Sequence, residues 1–225
     1  MFPAVQYEYK SKDIMDYSLY KVLEFKRKFF KIFGAEISIT EPNSDTLVGY
    51  IKMKAWRLRA DIDVYKDRTM QQSVVRIGGK QIISFKPSYA VFDSVTQQQI
   101  VTLRFRALRT AFVRGHMDII DMNGNDYGYV QETSSWLAVA RRYFFLVPFI
   151  GEYIELLFAF VPQTFDIMYS PAGAAPQLAA RIIHRKNPFI VKMSLNTTEA
   201  QVALDPRINI AVCTLLSILD ANKNA

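Results

Sequence analysis

The chain has one cysteine and two histidines in 225 residues, and those shortages narrow its chemistry before any pattern is sought. A lone Cys213 cannot form an intramolecular disulfide and fits a reducing compartment. Two histidines, His116 and His184, leave little for a general base or a metal set. No 18-residue run is both unbroken and free of charge, which argues against a simple transmembrane helix. The N-terminus, MFPAVQYEYKSKDIMDYS, lacks the basic-then-apolar layout of a signal peptide, so a cytoplasmic protein is expected. Negative charge is also in short supply. Twenty-one Asp and Glu face 28 Lys and Arg, a net +7 that favours anionic partners, lipid or nucleic acid.

What the chain does have is hydrophobic material, half of all residues, arranged in a recurring unit of roughly 25 residues. Each unit is an alternating run, a polar turn and a second alternating run ending in basic residues. The units span Glu36–Lys54, Asp61–Lys80, Ser88–Arg106, His116–Glu132, Phe165–Lys186 and Phe189–Leu204. Alternation such as Ile62-x-Val64 or Val101-x-Leu103-x-Phe105 puts apolar side chains on one sheet face. Turn residues such as Pro42-Asn43-Ser44-Asp45 and Asn123-Gly124-Asn125-Asp126 supply the dihedrals a hairpin needs, and Gly78-Gly79 reads as another hairpin connection. Six hairpins make about twelve antiparallel strands, mainly β. Closure into a barrel would remove the two exposed edges, and a two-sheet sandwich is the alternative.

The period changes at Asp205. Asp205 is placed to cap a helix and Pro206 to occupy its first position. The helix, about 207–220, is apolar nearly all round, so it must be buried on every side. Inside the barrel is the natural place, which would leave little room there for a ligand. A membrane anchor is the alternative, but about twelve apolar residues are too short to span.

Hairpins closing on an Asp-led apolar helix resemble the tubby C-terminal-like superfamily, which includes the phospholipid scramblases and the plant LURP-one-related proteins. The likeness is greatest in RIIHRKNPFIVKMSLNTTEAQVALDPRINIAVCTLLSILD, with Arg185-Lys186, Asp205 and Asp220 at the corresponding places. It covers residues 21–220 apart from one insertion, as a single domain preceded by an extension, 1–20. The resemblance implies a twelve-stranded barrel threaded by its last helix and work at membranes, on phosphoinositides or other anionic phospholipid. The calcium-associated stretch of the scramblases corresponds to Asn196–Asp205, which holds only two carboxylates where a hard cation wants six to eight oxygens. Calcium binding and scramblase activity are therefore not expected.

The basic residues recur at one phase of the unit. Lys52, Lys54, Arg57, Arg59, Arg104, Arg106, Arg109, Arg181, Arg185 and Lys186 follow or end hairpins, as do Arg76 and Lys80, and should gather toward one end or belt. KVLEFKRKFFK (21–31) adds five cations among aromatics. Such a belt would grip lipid phosphates or a nucleic-acid backbone; alternatively the cations guard sheet edges. Between hairpins four and five, residues 134–163 carry an amphipathic stripe through Trp136, Tyr143 and Phe144, with Arg141 and Arg142 opposite, followed by Phe145 and Phe149. Two short helices are expected there, lying on a membrane, on the barrel or on a second subunit.

The functional expectation is a non-enzymatic, peripheral membrane domain without metal or cofactor. The alternative is an interaction module that oligomerises through 134–163. Nucleic-acid binding ranks third, for want of a recognition motif.

Overall fold

The computed structural model describes residues 16–30, 34–53, 61–79, 87–105, 117–133, 162–185 and 191–219. These form a 3₁₀ turn at Tyr17–Leu19 and twelve strands: β1 Val22–Phe30, β2 Gly34–Thr40, β3 Leu47–Met53, β4 Ile62–Tyr65, β5 Ser73–Gly79, β6 Ser88–Asp93, β7 Gln99–Phe105, β8 Met117–Ile120, β9 Asp126–Glu132, β10 Gln163–Tyr169, β11 Gln177–Arg185 and β12 Val191–Asn196. One helix follows, α1 Pro206–Leu219. Every strand pairs antiparallel with its sequence neighbours, and β12 returns to pair with β1, with Phe25 opposite Met193 and Lys26 opposite Lys192. The sheet is a closed up-and-down barrel, not a sandwich.

The strand signal in the sequence is the alternation, and the register explains why it holds. Ile62 faces Ile77 and Val64 faces Val75 across β4 and β5, all four buried, while Asp63 and Arg76 face each other outside. Shifting either strand by one residue would turn valines to water and an arginine to the core, so the register is fixed by burial.

The twelve strands are not six tandem hairpins. The first five units appear as β2–β3, β4–β5, β6–β7, β8–β9 and β10–β11. The sixth supplies one strand only, β12, because residues 197–205 leave the sheet to lead into the helix. The twelfth strand comes from the chain's beginning, Val22–Phe30, where charges at alternate positions face outward. Gly78 and Gly79 are not a connection either: they end β5, opposite Ala90 and Tyr89.

The five hairpin turns share one construction. Each holds one residue in the left-handed region, Asn43 (φ 57°), Met70 (56°), Gln97 (57°), Gly124 (87°) or Gly173 (82°), the first four spaced 27 residues apart. Each pair of strands shifts register just before its turn, at Ile39/Thr40, Val64/Tyr65, Val91/Phe92, Ile119/Ile120 and Ile167/Met168. An extra residue on one strand sharpens its twist and bends the sheet. Five such bends at the same height curl the sheet toward closure.

Helix α1 fills the barrel. Ile208, Asn209, Ile210, Ala211, Val212, Cys213, Thr214, Leu215, Ser217 and Ile218 are all buried, and the helix touches β1 and β12 on one side and β5, β6 and β7 on another. Asp205 caps its start, accepting the Arg207 amide at 3.0 Å. Arg207 in turn pairs with Asp205 and with buried Asp93 at the end of β6, which ties the helix start to the β6–β7 turn. At the far end, inward-facing Arg27 donates to the Ser217 carbonyl at 2.7 Å. A cation there answers the unpaired carbonyls and the negative pole of the helix together.

Candidate functional site

Up-and-down order gives the barrel two rims of different composition. At one, the turn rim, lie the five hairpin turns (41–46, 66–72, 94–98, 121–125 and 170–176), segment 197–205 and the 3₁₀ turn. At the other end lie the ends of β1, β3, β5, β7, β9 and β11, which the chain joins to the next strands through 31–33, 54–61, 80–87, 106–116, 133–162 and 186–190. The sequence of these six segments holds twelve cations (Lys31, Lys54, Arg57, Arg59, Lys80, Lys86, Arg106, Arg109, Arg114, Arg141, Arg142 and Lys186) against three carboxylates, Asp61, Glu152 and Glu155. The connecting segments of the turn rim hold two cations, Lys66 and Arg68, against six carboxylates, Glu41, Asp45, Asp67, Asp121, Glu199 and Asp205. The surplus of +7 is therefore divided unequally between the connections of the two rims.

Of the residues expected to form the cationic belt, Lys52, Arg104 and Arg185 stand near the basic rim, on the outer face at the ends of β3, β7 and β11. Lys54, Arg57, Arg59, Arg106, Arg109 and Lys186 lie outside the described residues. Arg181 is not with them. It sits four residues back along β11, about 13 Å at strand rise, opposite Asn196, and is held by Asp166 at 2.8 Å and Glu199 at 2.7 Å. Trp136, Arg141, Arg142, Tyr143, Phe144, Phe145 and Phe149, with the insertion from 134 to 161, also lie outside the described residues. The expected end of that insertion, Gln163, is the first residue of β10.

Arg76 is not at the basic rim either: it lies midway along β5, 3.2 Å from Asp63 and within reach of Gln97 in the β6–β7 turn. Ion pairing divides the described rim cations. Lys52 lies 4.0 Å from Glu36 and Arg104 3.5 Å from Asp118, one carboxylate each. Across β11, β12 and β1 the balance differs. Arg185 stands opposite Lys192, and Lys192 opposite Lys26, three cations in one row on the outer face. Among the described residues Glu24 alone answers them, at 2.8 Å from Lys192 and 3.5 Å from Lys26, while Arg185 is exposed and has no ion-pair partner there. Burial raises the Glu24 carboxyl, but the hydrogen bond from Lys192 and the charges of Lys192 and Lys26 outweigh it and hold the pKa below its ordinary value. Like charges directly opposite are unfavourable in a sheet, and among the described residues this row sets three cations against one carboxylate. Sequence reading missed Lys192 because its neighbours depend on the β1–β12 closure, a pairing about 170 positions apart in the chain.

The chemically suggestive residues fall into structural places. His184 faces the barrel interior at 1% exposure, turned away from the outward Arg181 and Arg185 that flank it. Cys213 is buried in α1, and burial pushes its thiol well above the ordinary value, so it cannot serve as a thiolate nucleophile. Asp121 binds the amides of Asn123 and Asn125 inside its own turn. The two carboxylates of the stretch likened to the calcium segment are both taken by guanidinium groups, Glu199 by Arg181 and Asp205 by Arg207. Among the described residues no cluster of three His, Cys, Asp or Glu side chains is placed to hold a metal, and no helix is long and apolar enough to cross a membrane. No protein-family model, curated protein or solved structure matches this chain.

Proposed function

We propose that this protein is a non-enzymatic domain that associates peripherally with anionic phospholipid, presenting its basic rim to the membrane. The observation that carries the reading is the division of charge in the sequence of the strand connections, twelve cations to three carboxylates in one set and two to six in the other. Each Lys or Arg close to an anionic leaflet contributes about 1 kcal/mol. Six engaged at once would give roughly 6 kcal/mol, between millimolar and micromolar affinity, which is reversible association and not anchoring. The row Arg185–Lys192–Lys26 adds a place where a phosphate would relieve repulsion. The resemblance to scramblase and LURP-one-related domains supports the same reading, including phosphoinositides as the lipid.

Co-sedimentation with vesicles tests it. Phosphatidylcholine vesicles should leave the protein in the supernatant; those with added phosphatidylserine or a phosphoinositide should pellet it at low salt and release it as salt rises. The triple variant Lys26→Gln, Lys192→Gln, Arg185→Gln should bind at least tenfold more weakly with its circular dichroism unchanged. Equal partition onto neutral and anionic vesicles would end the proposal.

A further inference from the structure

The enclosed helix leaves little space inside the barrel, yet the turn rim is not sealed. Between the 3₁₀ turn, segment 197–206 and the first turns of α1 lies a cleft of about 260 Å³. At ~30 Å³ per water it would hold some eight or nine waters, too much space for one bridging water. Leu23, Leu195 and Ile210 give it an apolar side, and Lys21, Thr198 and Gln201 a polar one. Asn209 also lines it. That residue is 4% exposed on a mostly apolar helix, and its Oδ1, like the Oγ1 of Thr214 further along, has no hydrogen-bond partner among the described residues. An unpaired buried amide oxygen is destabilising, and a leucine in its place would pack the helix without that penalty. The chain holds an acceptor at a position where stability alone disfavours one.

We infer that this cleft is a binding site for a small uncharged molecule with a compact apolar body and one O–H or N–H donor, which the Asn209 carboxamide accepts. The polarity follows from the groups present. Neither carboxylate of segment 197–206 lines the cleft, and both are paired, Glu199 with Arg181 and Asp205 with Arg207; among the described residues the one lining cation, Lys21, is exposed to water, so neither sign of ligand charge finds a buried counterion. The site lies at the opposite end of the barrel from the basic rim and does not depend on membrane binding.

Phenol is a suitable probe, with toluene as its counterpart of similar shape lacking the donor. In ¹H–¹⁵N correlation spectra of the full chain, phenol should shift the amides of 198–204 and 209–210 and bind about fivefold more tightly than toluene, the difference one neutral hydrogen bond makes. Asn209→Leu should bring phenol down to the toluene level. Ala203→Phe, at an exposed lining position, should block both probes while leaving anionic-vesicle binding unchanged. Should Asn209→Leu fail to fold, the phenol–toluene difference in the unaltered protein and its loss in Ala203→Phe decide the matter. Shifts scattered over the surface, equal affinity for the two probes, or phenol binding that survives Ala203→Phe would each overturn the inference and leave Asn209 solvated by water only.

Discussion

Tyr17 is seated in the space that Gly49 leaves open. A Cβ added at Gly49 would stand 3.0 Å from the Tyr17 hydroxyl and 2.9 Å from Ile39 Cδ1, so the glycine is what lets the 3₁₀ turn close on the barrel. Gly128 is more tightly constrained. Its missing Cβ would fall 2.2 Å from the Met168 carbonyl oxygen, and backbone cannot swing aside as a side chain can. Gly128→Ala should therefore force β9 from β10 and lower stability by about 3 kcal/mol, the upper part of the overpacking range, read as a fall in the urea midpoint. Glu24 makes a different residue-scale prediction. Its folded pKa is depressed, so its contribution to stability is present above the unfolded carboxylate value, about 4.3, and is lost as pH falls through the lower folded value. Lys192→Met should raise the Glu24 pKa in a carboxyl-detected NMR titration and shrink the acid-side loss of stability. An unmoved pKa would mean the 2.8 Å contact does not persist in solution.

At the scale of elements, the repeat shows what a sequence can and cannot give away. Alternating runs and polar breaks were enough to find five hairpins, because burial enforces both. The common left-handed residue in each turn was legible at Asn43, Gly124 and Gly173, whose types favour that conformation. It was hidden at Met70 and Gln97, where an ordinary side chain is held there by the bulge and by bonds such as Met70 N–H to the Asp67 carbonyl. Met70 is exposed, so little packing is lost by replacing it. Met70→Gly should stabilise the protein by about 0.5–1 kcal/mol, relief of left-handed strain exceeding the added freedom of the unfolded glycine, and thermal unfolding would register the gain. The helix was the plainest element in the sequence, since nothing but enclosure suits an all-round apolar surface. Val212 is fully buried at its centre, whereas Leu216 is only partly buried. Val212→Asp should cost several kcal/mol, most of a typical 5–15 kcal/mol stability, and yield insoluble protein. Leu216→Asp should be milder, and equal solubility of the two would contradict the enclosed helix.

Over the whole molecule, the sequence puts unequal charge into the two sets of strand connections, twelve cations against three carboxylates in one and two against six in the other. Seven-residue strands separate the rims by roughly 20 Å, more than twice the ~8 Å screening length at physiological salt. Charges at the turn rim should thus be invisible to a membrane that holds the basic rim. Asp45→Lys and Asp121→Lys should leave anionic-vesicle affinity within about twofold at 0.15 M salt, while the substitutions in the Arg185–Lys192–Lys26 row should weaken it sharply. A strong gain from the turn-rim variants would mean the molecule lies on its side. This lopsidedness was half legible in the sequence. The recurrence of cations after each hairpin pointed to one end, but which end Arg181 belonged to, and that Lys192 and Lys26 meet, waited on the closing register.

That closure also sets the order in which the molecule can come into being. Lys26 cannot meet Lys192 until almost the entire sheet exists, and the helix the sheet encloses is made after every strand. Any sheet that forms before the helix would therefore stand open, with two unpaired edges and a groove lined by residues that the finished barrel buries, Ile37, Ile77, Leu103 and Ile182. Contacts so distant in the chain form slowly, and nascent sheets with free edges are prone to stick to one another. The last fourteen residues of described structure would then be the template on which the preceding strands complete their circle.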